Sequence, residues 1–297
     1  MDYTRVKSYA KINLGLDVTG ASGGYHTLDS VVVTVDLADV IAVKKRKKDK
    51  LVSIAMHGRG SESIPFESNN AVKAANGFIS RYDTCGVDIT VWKNIPVGAG
   101  LGGSSADVSG TLRALKRLFE IDDESGVKEI ADSLGSDCGY MLYGGYARLF
   151  GRGEEVQLLD SDLSLDIGIL VPSGGVSTAQ CYKKFDELAL SSGGSGQAVA
   201  TAVLSGDKQE LGRALHNDLF VPASALNRGV VTAYDELKSF APLGVGMTGS
   251  GSAVFALFEN DSFARYALSR YRGESEFILT KTKLPRREDK NGRRKTY

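Results

Sequence analysis

The sequence predicts an α+β protein of two domains that share one cleft. Three observations carry that expectation. Strand and helix patterns mix along the 297 residues without the strict strand–helix–strand alternation of a parallel sheet. A glycine-rich segment, Asn94-Ile-Pro-Val-Gly-Ala-Gly-Leu-Gly-Gly-Ser-Ser-Ala-Asp107, lies between a strand pattern and a helix pattern. A second half begins near residue 160, and no internal repeat relates it to the first. A chain of this length is enough for one large domain or two.

The elements follow in order. Residues 10–18 alternate, with Ala10, Ile12, Leu14 and Leu16 on one face and Lys11, Asn13 and Gly15 on the other, the pattern of a half-buried strand. Apolar runs at 31–35, 40–43 and 51–56 and the alternation of Val87, Ile89 and Val91 predict further strands. Between 43 and 51 stands Lys-Lys-Arg-Lys-Lys-Asp-Lys, which reads as the solvated end of a hairpin. It has no interleaved aromatic residues and is a poor surface for nucleic acid. Helical spacing covers 70–79. Val108, Leu112, Leu115 and Phe119 then recur at i, i+4, i+7 and i+11, an amphipathic helix directly after the glycines. A short helix over 127–134 is stopped by Gly135. In the second half 166–171 reads as a strand and the Ser/Gly-rich 191–196 as a flexible loop. Helices follow around 197–206, 207–215 and 229–240. An apolar strand at 253–258 is led in by the glycines of 244–251. The charged residues 285–297 read as a frayed tail.

Composition narrows the function. The formal net charge is zero, so no global field recruits nucleic acid or an anionic membrane. No apolar run reaches transmembrane length, and the N-terminus has neither a signal-peptide nor a transit-peptide pattern, so a cytoplasmic protein is expected. Cys85, Cys138 and Cys181 are odd in number and far apart, which suggests ordinary thiols. His26, His57 and His216 lack metal-ligand spacing, so no metal site built from a side-chain cluster is expected.

The glycine segment can wrap a phosphate chain, with the following helix pointing its free N–H groups at the anion. Gly98-x-Gly100-x-x-Gly103 matches the dinucleotide fingerprint literally, but no second parallel strand with a ribose-binding acid follows the helix. Gly98-x-x-x-x-Gly103 also begins like a Walker A loop, yet Ser104 stands where that loop needs its lysine. A third form, Pro-x-Gly-x-Gly-Leu-Gly-x-Ser-Ser-Ala, resembles motif 2 of the GHMP kinases, the family of galactokinase, homoserine kinase and mevalonate kinase. Ala10-Lys-Ile-Asn-Leu-Gly-Leu16 is similar to their motif 1, and Gly246-Met-Thr-Gly-Ser-Gly-Ser-Ala253 to their motif 3. All three occur in the family's order.

Within that family, Gly24-Tyr-His-Thr-Leu28 resembles the signature of the branch that phosphorylates a cytidine diphosphate-linked methylerythritol. Leu134 to Gly145, Gly151-Arg-Gly-Glu154, Val176 to Tyr182 and Asn217-Asp-Leu219 also have counterparts there, so the resemblance spans about residues 6–280. The chain departs from that branch at Ala21-Ser-Gly23, at Cys138-Gly139 beside Asp137, and at Phe220. The resemblance implies a two-domain GHMP kinase fold. Residues 1–158 would form a domain like ribosomal protein S5 domain 2, and 159–284 a ferredoxin-like α/β sandwich. Residues 285–297 would form a basic tail.

The resemblance also implies ATP and Mg²⁺ as cofactors, a small-molecule alcohol as acceptor, no nucleic-acid or membrane partner, and a monomer or weak homodimer. A mevalonate, homoserine or sugar kinase of the same family remains the alternative. Asp137 would accept the alcohol proton, with Lys11 as its cationic partner. Read alone, Asp137 serves equally as a turn or cap carboxylate and Lys11 as a solvated lysine. Pro96, Gly98, Ala99, Gly100, Leu101, Gly102, Gly103, Ser104, Ser105 and Ala106 would line ATP, with Ser104 or Ser105 near Mg²⁺ or simply capping the helix. Asn70 and Lys93 would meet the nucleoside. Asn13, Tyr25, His26 and Tyr182 would take the acceptor, the rings stacking on a pyrimidine. Gly249, Ser250 and Gly251 would close over its phosphates.

Overall fold

In the computed structural model, which describes residues 1–285, the chain opens with two long antiparallel strands, β1 (Tyr3–Ser22) and β2 (Tyr25–Arg46). Gly23 and Gly24, with φ of 59° and 80°, make the turn between them. Then come β3 (Val52–Gly58), α1 (Asn70–Tyr82), β4 (Gly86–Lys93), α2 (Gly103–Phe119), α3 (Glu124–Asp132), α4 (Cys138–Tyr143), β5 (Tyr146–Gly151) and β6 (Glu155–Leu159). The second half runs β7 (Asp166–Val171), α5 (Thr178–Glu187), α6 (Gly196–Ser205), α7 (Lys208–Ala214), β8 (His216–Asn217), α8 (Phe220–Leu226), α9 (Gly229–Lys238), β9 (Gly244–Met247), β10 (Val254–Phe258), α10 (Asp261–Arg270) and β11 (Glu276–Lys281). Residues 286–297 of the expected tail lie outside the described residues.

The first sheet has the order β3-β4-β2-β1-β8, with β5 also on β2 and β6 on β5. The second has the order β11-β7-β10-β9 and is antiparallel throughout. Mixed pairing without βαβ alternation makes the protein α+β, as the sequence predicts. Two details differ from expectation. The runs at 31–35 and 40–43 belong to one strand, β2, which pairs with β5 through residues 28–33 and with β4 through 40–46. The basic run at 44–50 is not a hairpin end, because β4 lies between β2 and β3 and pairs with β3 in parallel.

The strand over 10–18 is not half-buried but buried on both faces. Its core face packs Ile12 and Leu14 with Val31, Val32 and Val33 and reaches Ile167, Ile169 and Phe255 of the second sheet. Its other face is covered by loops from both halves. The register of β1 against β2 shifts between Tyr9 and Lys11 and again between Asn13 and Gly15. Such bulges re-aim side chains, and they flank the two polar residues that the strand presents to the cleft.

The halves are joined by more than a common core. β8 pairs in parallel with β1 at Gly15 and Leu16, so the second half contributes a strand to the first sheet. Asp218 follows it and accepts from Val18 N at 2.7 Å and Gly193 N at 3.0 Å. Asp17 accepts from Ser195 Oγ at 2.9 Å and Gly196 N at 2.7 Å. The loop expected to be flexible at 191–196 is therefore pinned to β1. His216 Nε2 donates to Asp218 Oδ1 at 2.7 Å, which raises the imidazole pKa against a smaller opposing effect of burial. A histidine with a raised pKa stabilises the fold fully below its ordinary value and loses that contribution as pH rises through the raised one. Hydrogen exchange at the Gly193 amide is thus expected to lose protection as pH rises through the raised imidazole pKa, after correction for intrinsic rates, and His216→Gln is expected to remove that dependence.

Candidate active site

Between the two halves lies a cleft of about 1240 Å³. Its floor is the glycine loop joining β4 to α2, which is held from behind. Ala99 O accepts from Ala253 N and Leu101 O from Lys11 N, each at 3.1 Å. Thr248 Oγ1 lies 3.1 Å from Gly100 O as donor. In a trans peptide the N–H points opposite the carbonyl, so the amides of Gly100, Leu101 and Gly102 face the cleft. Gly98, Gly100 and Gly102 have φ of 69°, 76° and 73°, a backbone that lets successive amides converge on an anion. α2 then begins at Gly103, with Gly102 as its cap residue and no side chain on its first amides. Ser104 and Ser105 lie inside the first turn and do not cap it. The positive end of a 17-residue helix is thus left open toward the cleft.

A second glycine loop meets the first. A Cβ on Gly100 would stand 2.1 Å from Thr248 O, so the two backbones touch. Asn217 Nδ2 ties this second loop through Met247 O at 2.7 Å and Gly249 O at 2.9 Å. Thr178 and Ser250 hydroxyls pair at 2.9 Å. Gly249 and Ser250 line the cleft, whereas Gly251 forms the turn behind them.

Lys11 Nζ lies 3.2 Å from Asp137 Oδ2. Asp137 stands at the cap position of α4, yet its side chain makes no capping bond. It reaches instead to Lys11, whose side chain is 5 % exposed while that of Asp137 is 29 % exposed. The acid is open to the cleft, and its cation is sheltered behind it. Asn13, expected to bind substrate, is engaged within the protein. Its Oδ1 accepts from Lys11 Nζ at 2.6 Å and Gly249 N at 2.9 Å, and its Nδ2 donates to Ser30 Oγ at 2.8 Å. It orients Lys11 and the second glycine loop at once. The departure at Cys138-Gly139 has a local reason. A Cβ at 139 would stand 2.2 Å from Asp132 Oδ1, and burial pushes the Cys138 thiol up to about 12, so it is inert.

At the far end the His26 and Tyr182 rings stack, with centroids 4.7 Å apart and planes at 20°. Phe185 meets His26 edge-on, and His26 Nε2 pairs with Asp186 Oδ1 at 2.8 Å. Burial raises the Tyr182 phenol pKa, and the Asp137 carboxylate adds to the rise. Tyr25 is 60 % exposed, with the Arg152 guanidinium over its ring at 5.0 Å.

At the opposite end Asn70 Nδ2 donates to Ser104 Oγ at 3.1 Å. The Lys93 amine is buried between Asp39 Oδ2 at 2.5 Å and Asp107 Oδ2 at 2.7 Å. Burial works against this ammonium, but Asp107 and Asp39 outweigh it and raise its pKa. One lysine cannot balance two buried acids. Asp39 Oδ1 accepts from Asn94 N and Ile95 N, whereas Asp107 Oδ1 has no partner. Burial pushes the Asp107 carboxyl up to about 7, with the Lys93 ammonium beside it pulling the other way.

Family profiles described as the GHMP kinases N terminal domain and the GHMP kinases C terminal match residues 69–145 and 199–272. The chain is 35% identical over 283 residues to the 4-diphosphocytidyl-2-C-methyl-D-erythritol kinase of Caldicellulosiruptor bescii, covering 94% of this chain and 98% of that one. The chain belongs to the GHMP kinases. The kinase of the same name from Caldanaerobacter subterraneus subsp. tengcongensis is 36% identical over 282 residues, covering 94% of this chain and 96% of its own. A crystal structure of 4-(cytidine 5'-diphospho)-2C-methyl-D-erythritol kinase superposes with a TM-score of 0.76 at 28% identity, covering 94% of this chain and 99% of that one. Homoserine kinase from Cytophaga hutchinsonii reaches 0.72 at 18% identity, covering 96% and 95% of the two chains, and shares the fold.

This GHMP kinase gathers nearly every expected site residue in one cleft. Lys11, Asn13, Tyr25, His26, Asn70, Lys93, Asp137, Tyr182, Gly249 and Ser250 line it with Pro96 and residues 98–105. Ala106 does not. It is fully buried behind the loop, and its carbonyl accepts from Ser109 Oγ. Sequence reasoning passed over Thr248 and Asp107, although both lie within quoted glycine motifs. It also passed over Asp39, which no motif contains. His216, without ligand spacing in sequence, meets Asp17 and Asp218 in space with ligand atoms within 4.8 Å. All four carboxylate oxygens there already accept from the chain, so the group is a structural tie. Gly100→Ala places a methyl against Thr248 O at a positive φ. We expect the KM for ATP to rise by about tenfold or more and stability to fall by about 1–3 kcal/mol, read by steady-state kinetics and denaturant unfolding.

Proposed function

We propose that this GHMP kinase transfers the γ-phosphoryl group of ATP to the 2-hydroxyl of 4-diphosphocytidyl-2-C-methyl-D-erythritol, giving ADP and the 2-phosphate. The observation that carries the reading is the Lys11–Asp137 pair, 3.2 Å apart in the cleft that also holds the glycine loop and the His26–Tyr182 stack. Phosphoryl transfer needs held phosphates, neutralised charge, an oriented hydroxyl and a proton acceptor. The amides of 100–102 and the start of α2 serve the first need. Asp137 takes the hydroxyl proton as the alcohol oxygen bonds to the γ-phosphorus. The bond from phosphorus to the bridging oxygen breaks, and its electron pair leaves with ADP. Lys11 offsets the negative charge on the attacking oxygen and holds the carboxylate in place.

Ser104 and Ser105 offer hard oxygen donors beside the loop, which suits Mg²⁺ carried on ATP with most of its waters retained. Such an ion would neutralise phosphate charge. Asn70 is suited to the ATP nucleoside. The acceptor's pyrimidine fits the aromatic end, where Tyr182 and Tyr25 offer ring faces and His26 a polar edge. Homoserine and mevalonate have no ring to lay on these faces, and a simple sugar has no planar aromatic one. Substrate and product are both soluble anions, which suits a cytoplasmic reaction.

ADP release is to be measured with the cytidine diphosphate substrate, mevalonate, homoserine and galactose offered separately. Turnover of the first alone is expected, and turnover of another with none of the first would overturn the assignment. Asp137→Asn is expected to lower kcat by about 10²–10⁴-fold with little change in the KM for ATP. A variant that keeps wild-type turnover removes Asp137 as the base.

A further inference from the structure

The phosphate loop has two ends, and one buried cluster grips both. Lys93 closes β4, and Asn94 and Ile95 lead from it into the loop. Asp39 of β2 accepts from both of their amides through Oδ1, at 2.6 and 2.9 Å, and binds the Lys93 amine through Oδ2 at 2.5 Å. The same amine reaches Asp107 Oδ2 at 2.7 Å in the second turn of α2, beyond the loop's exit. The three side chains are 0 %, 2 % and 8 % exposed, so water weakens none of these bonds. Lys93 Nζ also passes within 3.5 Å of where a Cβ on Gly103 would stand, directly under the first amide of the helix.

This placement does not suit a lysine that hands its charge to a nucleotide, because both of its carboxylate partners lie within the protein. It suits a clasp. Residues 96–102 contain three glycines in left-handed backbone and no side chain that bonds across the loop. The separation of the loop's ends then sets its curvature, and with it the convergence of the amides of 100–102. We propose that Asp39 and Asp107 are positioning residues for the phosphate loop, joined through Lys93, and that they act on ATP through its phosphates and not through its nucleoside. This rests on the reading of the loop as the ATP phosphate site.

Nucleotide binding tests the clasp without reference to the acceptor alcohol. ATP and adenosine are titrated separately by calorimetry into the wild type, Asp107→Asn and Asp39→Asn, with circular dichroism reporting folding. Asparagine is nearly isosteric and keeps an acceptor for Lys93 but not the ionic grip. In each folded variant the ATP affinity is expected to fall by about tenfold or more while that for adenosine changes less than about twofold. Equal losses for the two ligands would make the cluster a nucleoside contact and overturn the proposal, as would unchanged ATP affinity in both variants. A wild type that binds no ATP would instead sink the reading of the loop. In turnover assays the loss is expected in the KM for ATP, with the acceptor's KM unmoved.

Discussion

Backbone contact between two glycine loops is the constraint on which the site depends. Gly100 and Thr248 come from opposite halves and approach so closely that one methyl group would part them. A contact this short needs both strands beneath it to be fixed, and Asn13 does the fixing. It bonds Lys11 on its own strand, Gly249 on the opposing loop and Ser30 on the neighbouring strand. The register shifts of β1 around Lys11 and Asn13 turn both residues toward this junction. Moving the first loop, Lys11 or the second glycine turn independently would break one of these contacts. The site is therefore preorganised chiefly by backbone, with side chains used to lock positions the backbone has already set.

Charge is distributed by the same logic. The glycine loop turns amides and a helix terminus toward the cleft, a positive edge made without a cationic side chain. The lysines near it are committed elsewhere, Lys93 to two buried acids and Lys11 to Asp137. Ser104 stands where a Walker-type loop has its lysine, and Lys11 enters the cleft from a different strand. Burial shelters both lysines, and Asp137 stays partly open toward the cleft.

The parts legible in sequence are those in which chemistry and spacing coincide. The glycine loop, the helix after it and the three motifs stand out because glycine at a positive φ and an apolar repeat leave unambiguous marks. Strands β5, β6, β9 and β11 do not. β9 is Gly-Val-Gly-Met and reads as a turn, while β6 is largely exposed and shows no clean alternation. α5, which carries Tyr182, buries only Cys181 and Phe185, so its periodicity is faint. Lys93 and Asn13 both line the cleft, and each also bonds to groups of the protein itself. Sequence shows that a polar residue sits at a site and is silent on whether a protein group has already claimed it. Asp39 escaped notice for a related reason, since a lone aspartate in a strand carries no pattern until the fold brings Lys93 beside it.

The two-residue strand β8 has a consequence for what counts as a module here. The recognisable family segments, 69–145 and 199–272, exclude β1 and β2, and with them Lys11, Asn13, Tyr25 and His26. The second half, for its part, closes the edge of a sheet that it does not own. Neither segment is a unit that could be transplanted, and neither half could be exchanged for a relative's without recutting both the sheet edge and the loop junction. The unit is the whole stitched body, held along one seam by a strand edge and a loop junction.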